Sequence, residues 1–433
     1  MTSAIAAASP MAVTAPTIRR LENGLTIIAE QMPVAAVNLN LWLRVGSAVE
    51  ADAINGMAHF LEHMIFKGTS QLPMGEFERR IEARGGLTNA VTSQDYTHFF
   101  ITTAPQDFAD LAPLQIELVM NPLLMDAEFE RERPVILEEI RRADDNPRRR
   151  TFYRSMEMAF ERLPYRRAVL GPTEVIEGLT AQQMRDFHQY WYQPDRITAV
   201  AVGNLPVEDL IQVVADGFDQ AMVHRQPAAT SPGRNIVRSA PESPYQQVQR
   251  LEQIDPTLQQ ARFIMSWRVP GLADLKDTYA LDVLASVLGQ GRTARLTQDL
   301  REQRQLVSGV SAGNLTYWQQ GVFHVGAHLL AEHLDAVESI IAGHIERICQ
   351  EPITEAELQR VQTQVANRYV FGSESPSDRA GLYGYYQTLT GHLEHALHYP
   401  ERIQALTAAD IQAVAQRYLS PTAYGAVTLK PAA

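Results

Sequence analysis

The chain has one cysteine, Cys349, among its 433 residues. No internal disulfide can form, and no thiolate metal cluster can be built. Basic charge is also in short supply: 38 Lys and Arg stand against 50 Asp and Glu, a formal charge of −12. Neutralising phosphates needs a local basic excess, so nucleic acid is not an expected partner. The densest basic run, Arg148, Arg149 and Arg150, comes shortly after Asp144 and Asp145 and reads as a solvated face. No apolar run is long enough to cross a bilayer, and no membrane partner is expected. The first sixteen residues carry no Lys or Arg and are interrupted by Pro10, unlike a secretory signal. These absences lead to the expectation of a soluble, cytoplasmic protein.

What is present suits sizeable cores. Forty-five per cent of the residues are hydrophobic and 20% charged, ordinary for a globular chain, and the length predicts two domains of about 200 residues each.

The stretch with the most chemistry in it is His59-Phe60-Leu61-Glu62-His63. On a helix, positions i and i+4 lie one above the other, so the two imidazoles can offer nitrogens to one ion. Glu62 is within a turn of His59 and can hold a proton. The order His-x-x-Glu-His inverts the commoner zinc-protease motif. Upstream, residues 18–22 and 25–30 flank Asn23-Gly24, a hairpin signal. Val37, Leu39, Leu41, Leu43 and Val45 then alternate with Asn38, Asn40, Trp42 and Arg44, which predicts a strand with one apolar and one mixed face. Downstream, residues 77–84 predict a helix stopped by Gly85-Gly86, and residues 87–92 and 96–103 two strands, the first a possible edge for peptide addition. Residues 128–142 predict a helix charged on one side. On it Glu139 is a candidate third ligand, with Glu132 two turns earlier on nearly the same face and Glu138 as the alternative if the register slips by one.

Taken together, Gly56 to Thr69, Gly85-Gly86 with Asn89-Ala90 and Thr92-Ser93, and Glu132 followed by Val135-Ile136 and Glu139 resemble the pitrilysin-type inverzincins. That family includes insulin-degrading enzyme, the mitochondrial processing peptidase and related bacterial proteins. The resemblance implies one Zn2+ per chain bound by His59, His63 and Glu139, with Glu62 as general base and Glu132 as a carboxylate supporting the ligands. It also implies that the strand at Asn89 and Ala90 holds peptide substrates. Two imidazoles and one carboxylate leave a fourth coordination position open, the pattern of a catalytic site.

The second half looks like a copy of the first. Leu179-Thr180-Ala181 recurs as Leu406-Thr407-Ala408, and Glu174, Ile176, Gln189, Pro194, Ala199 and Val200 recur as Glu401, Ile403, Gln416, Pro421, Ala426 and Val427, all at an offset of 227. So many matches at one offset predict duplication of a whole domain. The expected fold is α+β: two homologous domains, each a mainly antiparallel sheet packed with helices. Residues 1–220 would be the zinc-binding domain, 221–246 a Pro-rich linker and 247–433 the second domain. In the second copy no histidine lies around residues 280–288. Other histidines, His392, His395 and His398 or His328 and His333, lack a matched third ligand and read as surface residues.

Within residues 290–310, Gly291, Arg295-Leu296 and Leu300-Arg301-Glu302 fit the family's second-domain segment. The resemblance makes Arg301 a substrate-contacting residue, one of an Arg/Tyr pair that acts from a facing unit. The tyrosine is missing: Ser308 stands in its place. This departure predicts a heterodimer in which a homologous subunit supplies the Arg/Tyr pair. The expected activity is that of a zinc metalloendopeptidase on peptides or unfolded segments in an enclosed chamber; the alternative is a non-catalytic scaffold that keeps the fold.

Overall fold

The computed structural model describes residues 15–223, 225 and 239–432. Two mixed sheets form its frame. The first contains β1 (Thr17–Arg20), β2 (Thr26–Gln31), β3 (Val37–Leu43), β4 (Leu87–Thr92), β5 (Thr97–Thr103) and β6 (Ile197–Gly203), in the order β1-β2-β6-β3-β5-β4. Its helices are α1 (Met57–Ile65), α2 (Glu76–Glu82), α3 (Phe108–Met120), α4 (Asp126–Asp144), α5 (Pro147–Ala159), α6 (Thr173–Gly178), α7 (Ala181–Trp191) and α8 (Val207–Val223).

The second sheet contains β7 (Gln249–Ile254), β8 (Ala261–Pro270), β9 (Val307–Leu315), β10 (Gln320–Leu329) and β11 (Gly425–Lys430), in the order β7-β11-β8-β10-β9. Its helices are α9 (Thr278–Gly289), α10 (Leu334–Gln350), α11 (Glu355–Phe371), α12 (Pro376–Thr390), α13 (Glu394–Leu397), α14 (Tyr399–Gln404) and α15 (Ala408–Tyr418).

The two orders superimpose strand for strand from β2 and β7 onward. In each sheet the last strand in sequence pairs parallel with the first of these and antiparallel with the next. The offset of 227 carries α7 onto α15, and each begins with a Thr capping box, at Thr180 and at Thr407. The duplication read from the sequence is therefore a duplication of structure.

The strand expected over 37–45 forms as β3, and it is buried along its whole length, on the mixed face as well as the apolar one. Its mixed face, with Trp42, is covered by α12 from the other half of the chain, in a cluster that joins Ile28, Trp42, Val200 and Val202 to Ala380 and Tyr383. The reciprocal contact also exists, since α5 of the first half packs on β8 and β11 of the second. There Arg268 donates to the Ala159 carbonyl at 2.6 Å and Tyr245 to that of Met158 at 3.3 Å. Each half lends a helix to the other.

Residues 221–223 of the expected linker belong to the end of α8, and residues 224 and 226–238 lie outside the described residues. Its last part is pinned down. Glu242 is buried, its backbone N–H donates to Gln320 at 2.7 Å, and its carboxylate receives the N–H groups of Arg162 and Leu163.

Candidate metal centre

Helix α1 starts where an apolar stripe meets a built N-terminus. Met57, Ala58, Phe60, Leu61, Met64 and Ile65 are buried and orient the helix, which leaves His59, Glu62 and His63 on the open side. Gly56 before it has φ +98°, and a Cβ there would lie 2.6 Å from the Leu170 carbonyl oxygen, so only glycine fits the turn. The free N–H groups of the first turn meet a buried acid. Glu50 accepts from the N–H groups of Gly56 at 2.8 Å and Ala58 at 2.7 Å, and from the Asn55 side chain at 2.9 Å. Burial raises the Glu50 carboxyl, and these bonds act against the rise.

Helix α4 brings its carboxylates to the same place. His59 Nε2 is 3.4 Å and His63 Nε2 3.8 Å from Glu139 Oε2. Ligands held about 2.1 Å from a tetrahedral zinc ion are about 3.4 Å apart; the His59–Glu139 pair stands at that spacing, and all three donor atoms lie within 4.8 Å of one another. Among the described residues, His59, His63 and Glu139 are the one group of three His, Cys, Asp or Glu side chains so arranged. Burial and the neighbouring His63 push His59 down to about 4, which keeps its imidazole neutral, the form that binds metal. His63 Nδ1 is engaged with Glu132 at 2.9 Å, which turns Nε2 toward the cluster. The alternative Glu138 faces away and pairs with Arg141 and Arg142.

Several neighbours are invisible to the motif. Lys67, one turn beyond His63, reaches the other oxygen of Glu132 at 2.6 Å. Burial acts to raise the Glu132 carboxyl, but the bonds from Lys67 and His63 outweigh it and hold it below its ordinary value. Glu62 receives the Thr92 hydroxyl at 2.5 Å. Burial raises the Glu62 carboxyl, and this bond offsets part of the rise. The spacing from His63 to Lys67 is readable in sequence as one more i, i+4 pair; Thr92 and Glu50 are joined to the helix by folding alone.

Strand β4 is the outer strand of its sheet and lies against α1. Side chains alternate along it, so Ala90 and Thr92 share the face toward α1, while Asn89 points to the exposed face and accepts the Ala90 N–H at 2.9 Å. The structure thus brings together His59, Glu62, His63, Glu132, Glu139 and the strand of Asn89 and Ala90. It does not bring Arg301 to them. That residue lies on a π-helical turn in the second half, bonded to Glu302 at 2.6 Å, and among the described residues no hydrogen bond or ion pair joins it to the cluster. Ser308 contacts Gln260 at 3.0 Å and His328 at 3.1 Å. His395 is occupied by Tyr279, and His333 by the Leu306 carbonyl.

Residues 25–173 match the family model described as Insulinase (Peptidase family M16), and residues 178–365 match Peptidase M16 inactive domain. An uncharacterized zinc protease of Mycobacterium tuberculosis is 30% identical over 426 residues, which cover 98% of this chain and 95% of that protein. A probable mitochondrial-processing peptidase subunit beta of Arabidopsis thaliana is 26% identical over 93% of this chain and 76% of its own length. The crystal structure of a protease from Helicobacter pylori aligns with a TM-score of 0.89 at 26% identity, covering 97% of this chain and all of that one. No helix among the described residues is long and apolar enough to cross a membrane.

Proposed function

The chain belongs to the insulinase family of M16 peptidases, and on that footing we propose that it is a zinc-dependent endopeptidase acting on peptides or unfolded segments in an enclosed chamber. The observation that carries this reading is the convergence of His59, His63 and Glu139 on one point, with the Glu62 carboxylate on the same face of α1. Such an ion supplies Lewis-acid polarisation of a carbonyl and makes water more acidic near neutral pH.

The residues around it have separable tasks. His59 and His63 bind as neutral imidazoles; Glu132 and Lys67 orient His63 through its Nδ1. Glu62 takes a proton from water and returns it to the leaving amine, with Thr92 fixing its Oε2. The outer edge of β4 offers unpaired backbone groups to which an extended substrate adds as a further strand, so Asn89 and Ala90 would act through their main chain.

Arg301 and Ser308 support a heterodimer. The arginine of the expected pair is present, but the serine hydroxyl is several Å shorter than a phenol, so a homologous partner would supply the Arg/Tyr pair to this chain's zinc site. The plant relative is itself described as a subunit.

The test is metal content and peptide turnover for the wild type and Glu62→Gln. Zinc retained with turnover down about 10² to 10⁴-fold is the expected result; unchanged turnover would reject Glu62 as the base. For the pairing, the purified chain alone should hold zinc and cleave slowly, with a co-purifying homologue restoring the rate. Full activity of the lone chain would sink the heterodimer.

A further inference from the structure

Away from the metal centre, a pocket of about 200 Å³ opens beside α9, lined by Asp282, Asn314, Tyr279, Tyr385, Tyr386 and Tyr399 among others. Asp282 is its one acidic wall residue. Its carboxylate accepts from Asn314 Nδ2 at 2.9 Å and from the Tyr399 hydroxyl at 3.0 Å. Both are neutral donors. Among the described residues no Lys, Arg or His makes an ion pair with Asp282; Arg402 lies over the Tyr279 ring instead and reaches toward Glu394 at 4.0 Å. A carboxylate enclosed by protein without a cation is costly, and the cost falls when a cation enters.

The four tyrosines add a second, independent preference. The Tyr279 and Tyr399 rings lie 5.6 Å apart at 58°, and Tyr385 and Tyr386 5.2 Å apart at 88°. Ring faces carry negative potential, and aromatic walls beside a carboxylate are a chemistry that selects organic ammonium over neutral or strongly hydrated solutes. The volume sets an upper size. It equals roughly seven waters at about 30 Å³ each, room for a short alkyl chain with one ammonium head.

We propose that this pocket binds an alkylammonium group about the size of a lysine side chain, with Asp282 as its counter-ion and the four tyrosines as its walls. The pocket adjoins the contact between the halves, because the Tyr385 ring also lies 5.8 Å from Tyr96 and 6.4 Å from Trp42 of the first half. An occupant would therefore brace the seat of α12 on β3. The inference does not depend on zinc or on the peptidase reading.

The test uses the full-length protein and calorimetric titration with n-butylammonium chloride, n-butanol and potassium chloride at one ionic strength, and with a blocked peptide bearing one lysine. The expected result is that n-butylammonium binds roughly tenfold or more tightly than n-butanol, and that Asp282→Asn removes that preference. Binding of the peptide as well would identify a lysine side chain as the source of the group, and binding of n-butylammonium alone a free amine. Equal binding of butanol, an equal response to potassium, or no binding of n-butylammonium would overturn the proposal, and the wild-type titrations decide it even if the variant fails to fold.

Discussion

Helices α1 and α9 hold the same station in the two halves. Each follows an inner strand of its sheet, β3 or β8, lies against the outer strand β4 or β9, and packs on α7 or α15. Their surfaces differ. In α1 three polar side chains stay on one open face, whereas in α9 every residue but Asp282 is buried. A helix apolar on all sides is a core element. The contrast teaches that the station is structural and the chemistry on it is separable: the same scaffold supports a cluster of candidate metal ligands in one copy and a packed core in the other.

Six substitutions, in four tests, sharpen or break that contrast. The largest effect is expected from His59→Leu, which gives α1 an apolar residue of the kind α9 carries throughout. Metal content should fall to the background level. The melting temperature in chelator should match or exceed that of the wild type, because His59 Nδ1 is buried without a hydrogen-bond partner. A clear drop in chelator would mean that the histidine has a structural duty. Next, Glu132→Gln keeps the ligands but weakens the support of His63 Nδ1 and removes the charge facing Lys67; zinc affinity, read by competition with a chromogenic chelator, should weaken about 10 to 100-fold.

The third prediction concerns the exchanged helices. A Cβ at Gly384 of α12 would sit 2.1 Å from Trp42 Nε1, while one at Gly381, nearly one turn earlier, meets nothing within 4 Å. Gly384→Ala should cost about 1–3 kcal/mol by urea denaturation, and Gly381→Ala should gain about 0.5–1 kcal/mol from helix propensity. Similar outcomes for both would contradict the packing of α12 on β3. Thr180→Ala and Thr407→Ala should each cost about 1 kcal/mol. Equal losses would show the two caps to be equivalent in energy as well as in place.

Much of this organisation is legible in the sequence because it is local or repeated. The i, i+4 histidines, the alternation through 37–45, the outer strand at 87–92 and the offset of 227 all appear in the structure as periodicity and self-similarity imply. What is not legible depends on distant contacts. The mixed face of β3 is covered by α12, more than 300 residues away, and nothing near the strand in sequence announces that cover. Glu50 belongs to no motif, and Thr92 belongs to one that does not reveal its contact; their bonds to the first turn of α1 and to Glu62 exist only once the preceding loop and β4 are in place. Arg301 shows the reverse case: a motif names it, yet its hydrogen bond in this chain is to its neighbour Glu302.

The mutual loan of α5 and α12 also bears on how the chain is made. A ribosome delivers the first half long before α12 emerges, and until then the face of β3 and β6 that carries Trp42, Val200 and Val202 has no cover. The ion pair of Arg379 with Glu30, at 2.6 Å, closes a loop of about 350 residues. Such late, non-local closure slows folding and leaves apolar surface open to aggregation. Synthesis should therefore pass through a stage in which a nearly complete first sheet waits, with one sticky face, for the end of its own chain.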